Sequence, residues 1–222
     1  MNVLKYFILI ILLFNFSQAS TYDIALLEEK DHSYKEAFRL YKEAANNGDK
    51  RAIFKLGTFY YTGKAVKKNY KKAYKLFKKS SDMGYLKATY NLGIFYSNKR
   101  AGKFSPKKAY EIFLKLAKDG YAPAQNRVAM FHTFGFGVEV DYKKAIKWYE
   151  KSAKQGYINA QCGLAGMYAA GMGVFPNFGR ANAFAKKGYE MKNPICVDVW
   201  NNYHLERYDK DKGFKFNFYN KP

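Results

Sequence analysis

Histidine and cysteine are scarce. The chain carries His32, His132 and His204 and only Cys162 and Cys196 in 222 residues. No histidine has an H-x3-H or cysteine companion at ligand spacing, which removes the usual zinc arrangements; no metal and no cofactor is expected. Acidic residues are few as well, 18 against 39 basic ones, and none form a convincing carboxylate pair for acid–base work. Glycine-x-glycine occurs as "GFGV" at 135–138 and "GMGV" at 171–174. No strand precedes either motif and no Gly-Lys-Ser/Thr follows, so neither reads as a phosphate loop. A turn that needs positive φ accounts for both.

What is present is recurrence. Residues 141–161, "DYKKAIKWYEKSAKQGYINAQ", match residues 69–89, "NYKKAYKLFKKSSDMGYLKAT", at 10 of 21 positions. The underlying step is 36: Gly48, Gly84, Gly120 and Gly156 keep it, as do Ala37, Ala73, Ala109, Ala145 and Ala181. Gly57, Gly93, Ala129 and Ala165 form a column of small residues; Tyr41, Phe77, Phe113 and Tyr149 form an aromatic one. A fixed period of this length is the mark of a stacked repeat architecture.

Each cycle holds two helices. The first, as in "RAIFKLGTFYY" (51–61), sets Ala52, Leu56, Phe59 and Tyr60 on one stripe at helical spacing. Gly57 inside it costs roughly 1 kcal/mol relative to alanine, which predicts a helix contact too close for a side chain. A column of Ser33, Asn69, Ser105, Asp141 and Asn177 supplies N-caps for the second helix, each oxygen accepting from a first-turn N–H. That helix ends at the glycines of the 48/84/120/156 column, which suit a left-handed terminus. The fold class expected is all-α: an α/α superhelical solenoid of about four 36-residue helix-turn-helix repeats with capping helices.

The run A-x3-L-G-x2-Y…G-x-G-V…D-x2-K-A-x2-W-Y-x-K-S-A-x2-G resembles the Sel-one-like repeat, a relative of the tetratricopeptide repeat. It is fullest in Ala124–Gly156, with Val128 and Ala129 for Leu-Gly and His132 for Tyr. The resemblance covers about residues 33 to 207. The corners "GKAV" (63–66) and "KRAG" (99–102) depart from it and are expected to be less regular. The resemblance implies a bacterial protein that works by binding other proteins and is not an enzyme. A cysteine-rich branch of the family is linked to β-lactam binding and hydrolysis, which makes a cell-wall or β-lactam-related activity the alternative. That chemistry wants S-x-x-K, S-D-N and K-T-G. "SPKK" (105–108) matches the first, but the others are absent, and Ser105 already belongs to the N-cap column.

The chain organises as residues 1–19, a signal peptide; 20–48, N-terminal capping helices; 49–192, the repeats; 193–210, a C-terminal capping helix around Trp200; and 211–222, a tail. Lys5, an apolar run to Phe16 and then Ser17-Gln18-Ala19 fit secretory cleavage after Ala19. An uncleaved anchor is the competing reading, though the run is shorter than the ~20 residues of a comfortable span. The expectation is an exported protein, periplasmic or secreted. Without Lys5 the charge is 38 − 18 = +20. Such a field favours acidic protein or peptide partners, or an anionic lipid or cell-wall surface, with salt-dependent association; nucleic acid is not expected for an exported chain. The bland account is a solvated face, since Lys71, Lys72, Lys107, Lys108, Lys143 and Lys144 recur in first turns.

Cys162 and Cys196 fall in first helices of adjacent units, two columns apart, or roughly 200° of rotation. One side chain then faces forward along the stack and the other back. A disulfide in an oxidising compartment and two buried thiols both stay open. His132 sits in the Tyr60/Tyr96/Tyr168 column, where a packed imidazole is expected.

First helices line the concave side of such repeats. With 52, 56, 59 and 60 in the core, positions 54, 55 and 58 turn toward the groove. These are Phe54, Lys55 and Thr58, then Tyr90, Asn91 and Ile94, then Asn126, Arg127 and Met130. Aromatic, amide and guanidinium groups of this kind suit a peptide groove. The fourth repeat gives Cys162, Gly163 and Gly166, which leave room.

Overall fold

The structure, a computed structural model, describes residues 20–208. The signal peptide and the tail predicted at 1–19 and 211–222 lie outside those residues. Among the described residues every regular element is helical, and eleven α-helices run in chain order: α1 (Thr21–Lys30), α2 (Tyr34–Asn46), α3 (Lys50–Thr62), α4 (Tyr70–Asp82), α5 (Leu86–Ser97), α6 (Pro106–Lys118), α7 (Ala122–Phe134), α8 (Tyr142–Lys154), α9 (Ile158–Ala170), α10 (Phe178–Glu190) and α11 (Pro194–Asn202). Two short 3-10 turns, Lys99–Ala101 and Leu205–Tyr208, complete the set. The fold is the expected all-α solenoid of consecutive helix-turn-helix repeats.

Polar caps start the second helices where the sequence places them. Asn69, Asp141 and Asn177 accept from Lys72, Lys144 and Arg180 backbone N–H at 2.9, 2.9 and 2.8 Å. Ser105 does the same for Lys108 at 3.4 Å, which gives its hydroxyl a structural use. Ser33 is the exception. Its backbone (φ −75°, ψ 57°) is not extended and its side chain makes no capping bond, because the preceding turn is closed by His32 in a left-handed conformation (φ 62°). At the other end Gly48, Gly84, Gly120 and Gly156 take φ between 77° and 90°.

Packing follows from the columns. A Cβ built at Gly57 would lie 2.7 Å from the Phe77 ring, so the glycine lets α3 close on α4. Buried Ser80 of α4 donates to Lys50 O at 2.7 Å, and buried Ser152 of α8 donates to Ala122 O at 2.8 Å. Each ties the last turn of a second helix to the first turn of its partner. The corners are turns held by positive φ: Gly135 and Gly137 at 66° and 76°, Gly171 and Gly173 at 68° and 73°. The corner at 63–66 is as regular as these, against expectation. Gly63 (81°) and Ala65 (57°) hold the same left-handed pair, alanine bearing a strain that glycine avoids. The corner at 99–102 does differ, as a 3-10 turn followed by Gly102 at 79°.

The chain divides into two compact units: one runs to Phe95 and includes Arg100–Gly102, and the other comprises Tyr96–Lys99 and the chain from Lys103. The first has cores around Tyr41, Leu56 and Phe59 and around Phe77 and Phe95. The second has a large core in which Tyr149, Leu164, Phe184, Trp200 and Leu205 are buried.

Candidate functional site

In the first unit, the groove positions of the first complete repeat are engaged within the chain. Phe54 packs its ring 5.8 Å from Phe77 and 5.3 Å from Tyr85. Lys55 Nζ lies 2.7 Å from Glu29 Oε2, and the same oxygen accepts from Tyr41 Oη at 2.7 Å. Burial first, and the Glu29 carboxylate second, hold the Tyr41 phenol far above its ordinary pKa. Thr58 Oγ1 donates back to Lys55 O at 2.6 Å. Tyr90, Asn91 and Ile94 are half-buried on α5. The six lysines of the second-helix first turns are all exposed; Lys72 and Lys108 lie over the rings of Tyr60 and Tyr96, at 5.1 and 5.9 Å.

The second unit builds a cleft of about 300 Å³ from three successive first helices, α7, α9 and α11. Asn126 and Met130, two of the predicted groove residues, stand on its wall, as do Cys162, Gly163 and Gly166. Arg127 is half-buried on α7 and does not line it. The two glycines open the space differently. A Cβ at Gly163 would meet the Tyr149 ring at 2.5 Å, so this glycine seats Tyr149 as part of the wall. A Cβ at Gly166 would meet only Val199 Cγ2, at 3.6 Å, so that glycine faces open volume. Burial raises the Tyr149 phenol above its ordinary pKa, against the opposing effects of Thr133 and Arg127.

Met167, Met172, Ile195 and Val199 complete the apolar wall. Sequence columns did not reveal them, since they come from the core stripe, a corner and the terminal helix. The sulfurs of Cys162 and Cys196 are bonded, with Cα atoms 4.8 Å apart, and the bridge fastens α11 to α9 along the cleft. Gly188 of α10 makes this fit: a Cβ there would collide with Cys196 Sγ and lie 3.1 Å from Cys162 Sγ.

The buried side-chain polar atoms on the wall find partners with one exception. Thr133 Oγ1 donates to Ala129 O at 3.0 Å, and Asn159 Oδ1 accepts from Asn193 Nδ2 at 2.7 Å. Asn126 is 95 % buried; its Nδ2 faces Met130 Sδ at 3.6 Å, and its Oδ1 has no hydrogen-bond partner. His132 is buried as a packed imidazole, with Nε2 3.1 Å from Tyr110 Oη and Nδ1 3.4 Å from Glu139 O. Among the described residues no group of three or more His, Cys, Asp or Glu is placed to hold a metal ion.

Helical hairpins with caps, glycines and corners at a 36-residue step define an α/α repeat protein whose first helices carry a cleft. The family model for the Sel1 repeat matches residues 28–49, 50–85, 86–121, 122–157 and 158–193, and the chain belongs to that family. The match counts five units, the partial first one reaching into the segment expected to be a cap. A Sel1 repeat protein from Oxalobacter formigenes is similar in structure, with a TM-score of 0.74 and 25 % identity over 86 % of this chain and 81 % of that one. A protective antigen of uropathogenic Escherichia coli strains, displaying an SLR fold, aligns at TM-score 0.69 and 26 % identity over 84 % of this chain and 41 % of its own. The fold is shared with an immunity protein from Pseudomonas aeruginosa, at TM-score 0.53 and 21 % identity. No curated protein matches the chain. Repeats of this family commonly serve as protein–protein interaction scaffolds.

Proposed function

We propose that the protein is an exported, non-enzymatic scaffold that binds a partner protein or peptide on its first helices, at an envelope or host interface. One observation carries this reading: three first helices of the second unit enclose an apolar cleft whose floor is left open at Gly166. Open apolar concavities with a few polar groups are where proteins receive ligands. The net charge of the chain without Lys5, 38 − 18 = +20, favours an acidic partner and a salt-dependent encounter. A periplasmic or secreted location follows from the Lys5–Ala19 segment and gives the Cys162–Cys196 bridge an oxidising setting.

The test is capture from native envelope or culture medium with the purified chain, compared with Gly166→Leu. A Leu side chain fills the cleft from a position with free space. A specific partner should be lost with Gly166→Leu and weakened with Tyr90→Ala, a groove position on α5. Equal capture by Gly166→Leu and the parent would remove the cleft from the binding account, and retention of the uncleaved chain in the cytoplasm would remove export.

A further inference from the structure

We infer that the α7–α9–α11 cleft is a receptor for a tryptophan side chain of the partner, the indole N–H being accepted by Asn126 Oδ1. The inference rests on the scaffold reading and names what the scaffold grips.

Three properties of the cleft select this occupant. The first is size. An engineered cavity of about 150 Å³ holds benzene, so about 300 Å³ accommodates a bicyclic ring but not a folded segment. The second is wall chemistry. Met130, Met167 and Met172 line the space together with Cys162, and thioether sulfur makes favourable contacts with aromatic rings.

The third is hydrogen-bond arithmetic. A buried amide oxygen without a donor is costly, and Asn126 Oδ1 is the one such side-chain atom among the described residues. The broad χ2 torsion of asparagine lets its amide turn toward the cleft. A backbone peptide unit entering this space would bring a C=O as well as an N–H, whereas the unmet group on Asn126 is a single acceptor. Indole brings one N–H and no acceptor. Phenylalanine and leucine bring neither and leave Oδ1 as it is. The occupant comes from a different protein rather than a second copy, since Trp200 is buried and Trp148 is half-buried with Lys151 Nζ 4.4 Å over its ring.

The experiment titrates the oxidised full chain with N-acetyl-tryptophanamide, N-acetyl-1-methyltryptophanamide and N-acetyl-phenylalaninamide, following the backbone amide resonances of Gly163 and Gly166. The tryptophan amide is expected to shift both saturably. Methylating the indole nitrogen, or replacing indole with phenyl, weakens binding by about fivefold or more, the size of one net hydrogen bond. Asn126→Leu removes the acceptor and brings the three probes within about twofold of one another; Gly166→Leu abolishes binding of all three and serves should Asn126→Leu fail to fold. Three probes binding equally to the parent chain, or none shifting the two glycines, overturns the assignment. Loss of partner capture in Gly166→Leu alongside either of those results leaves the scaffold reading standing while the indole falls.

Discussion

Cys196 Sγ occupies the space that a methyl group at Gly188 would need, so the bridge between α9 and α11 exists only because α10 has no side chain at that point. Gly188→Ala is therefore expected to destabilise the oxidised chain by about 1–3 kcal/mol, the usual cost of overpacking. Urea denaturation reads this directly. In a Cys162→Ala/Cys196→Ala background the sulfurs are gone and the same substitution should cost much less. An equal penalty in both backgrounds would show that the collision is not the cause.

Closing a loop across a sequence separation of 34 restricts the unfolded chain. Reduction, or the double alanine substitution, should lower stability by about 2–4 kcal/mol, seen as a fall in thermal midpoint on adding reductant. A midpoint insensitive to reductant would mean that the bridge adds nothing.

Ala65 holds φ 57° at the corner position where later repeats have Gly137 and Gly173. Left-handed backbone costs a non-glycine residue about 1–2 kcal/mol, partly offset by the extra chain entropy glycine loses on folding. Ala65→Gly should raise stability by up to about 1 kcal/mol, whereas Gly137→Ala should lower it by more, because a Cβ there would also meet Pro106 Cβ at 2.6 Å.

Tyr41 and Asp49 contribute to opposite limbs of the pH–stability curve. Burial, and then the bond to Glu29, raise the Tyr41 phenol. A proton held more tightly in the folded state stabilises fully below the unfolded pKa, near 10, and that stability is lost as pH rises through the folded value. Stability should decline above about pH 10, less steeply in Tyr41→Phe. Burial pushes the Asp49 carboxyl up, but hydrogen bonds from the Arg51 side chain, Arg51 N and Ala52 N together bring it below its ordinary value. Its contribution is present above the unfolded pKa, about 4, and fades as pH falls through the folded one. Asp49→Asn keeps the cap and should flatten the acid limb; an unchanged slope between about pH 2 and 4 would rule Asp49 out as its source.

Most of the fold could be read from columns of residue types, because each column repeats one local requirement: Asn69 or Asp141 caps, Gly57 admits Phe77, Gly137 turns a corner. The same logic put Asn126, Met130, Cys162, Gly163 and Gly166 on one face. It did not reveal that Phe54 and Lys55 also meet Tyr85, at the end of the same repeat, and Glu29 from α1. Periodicity says which way a side chain points, not which long side chain from elsewhere meets it. Ile195 and Val199 were hidden for a related reason, since the terminal helix breaks from the repeat pattern and its register is fixed by the bridge to Cys162. Ser33 shows the limit at single residues: the right side chain does not cap when the turn before it gives the wrong ψ.

The 44/80/116/152/188 column carries Ala44, Ser80, Leu116, Ser152 and Gly188, and its members are not interchangeable. Ser80 and Ser152 fasten a hairpin from within, whereas Gly188 leaves a notch that only the next helix, through Cys196, can fill. Residues 158–193 are thus a closing module. Copied into the middle of the array, they would arrive with an empty socket and an unmatched Cys162, so duplicating the last full repeat would leave a packing defect at the junction.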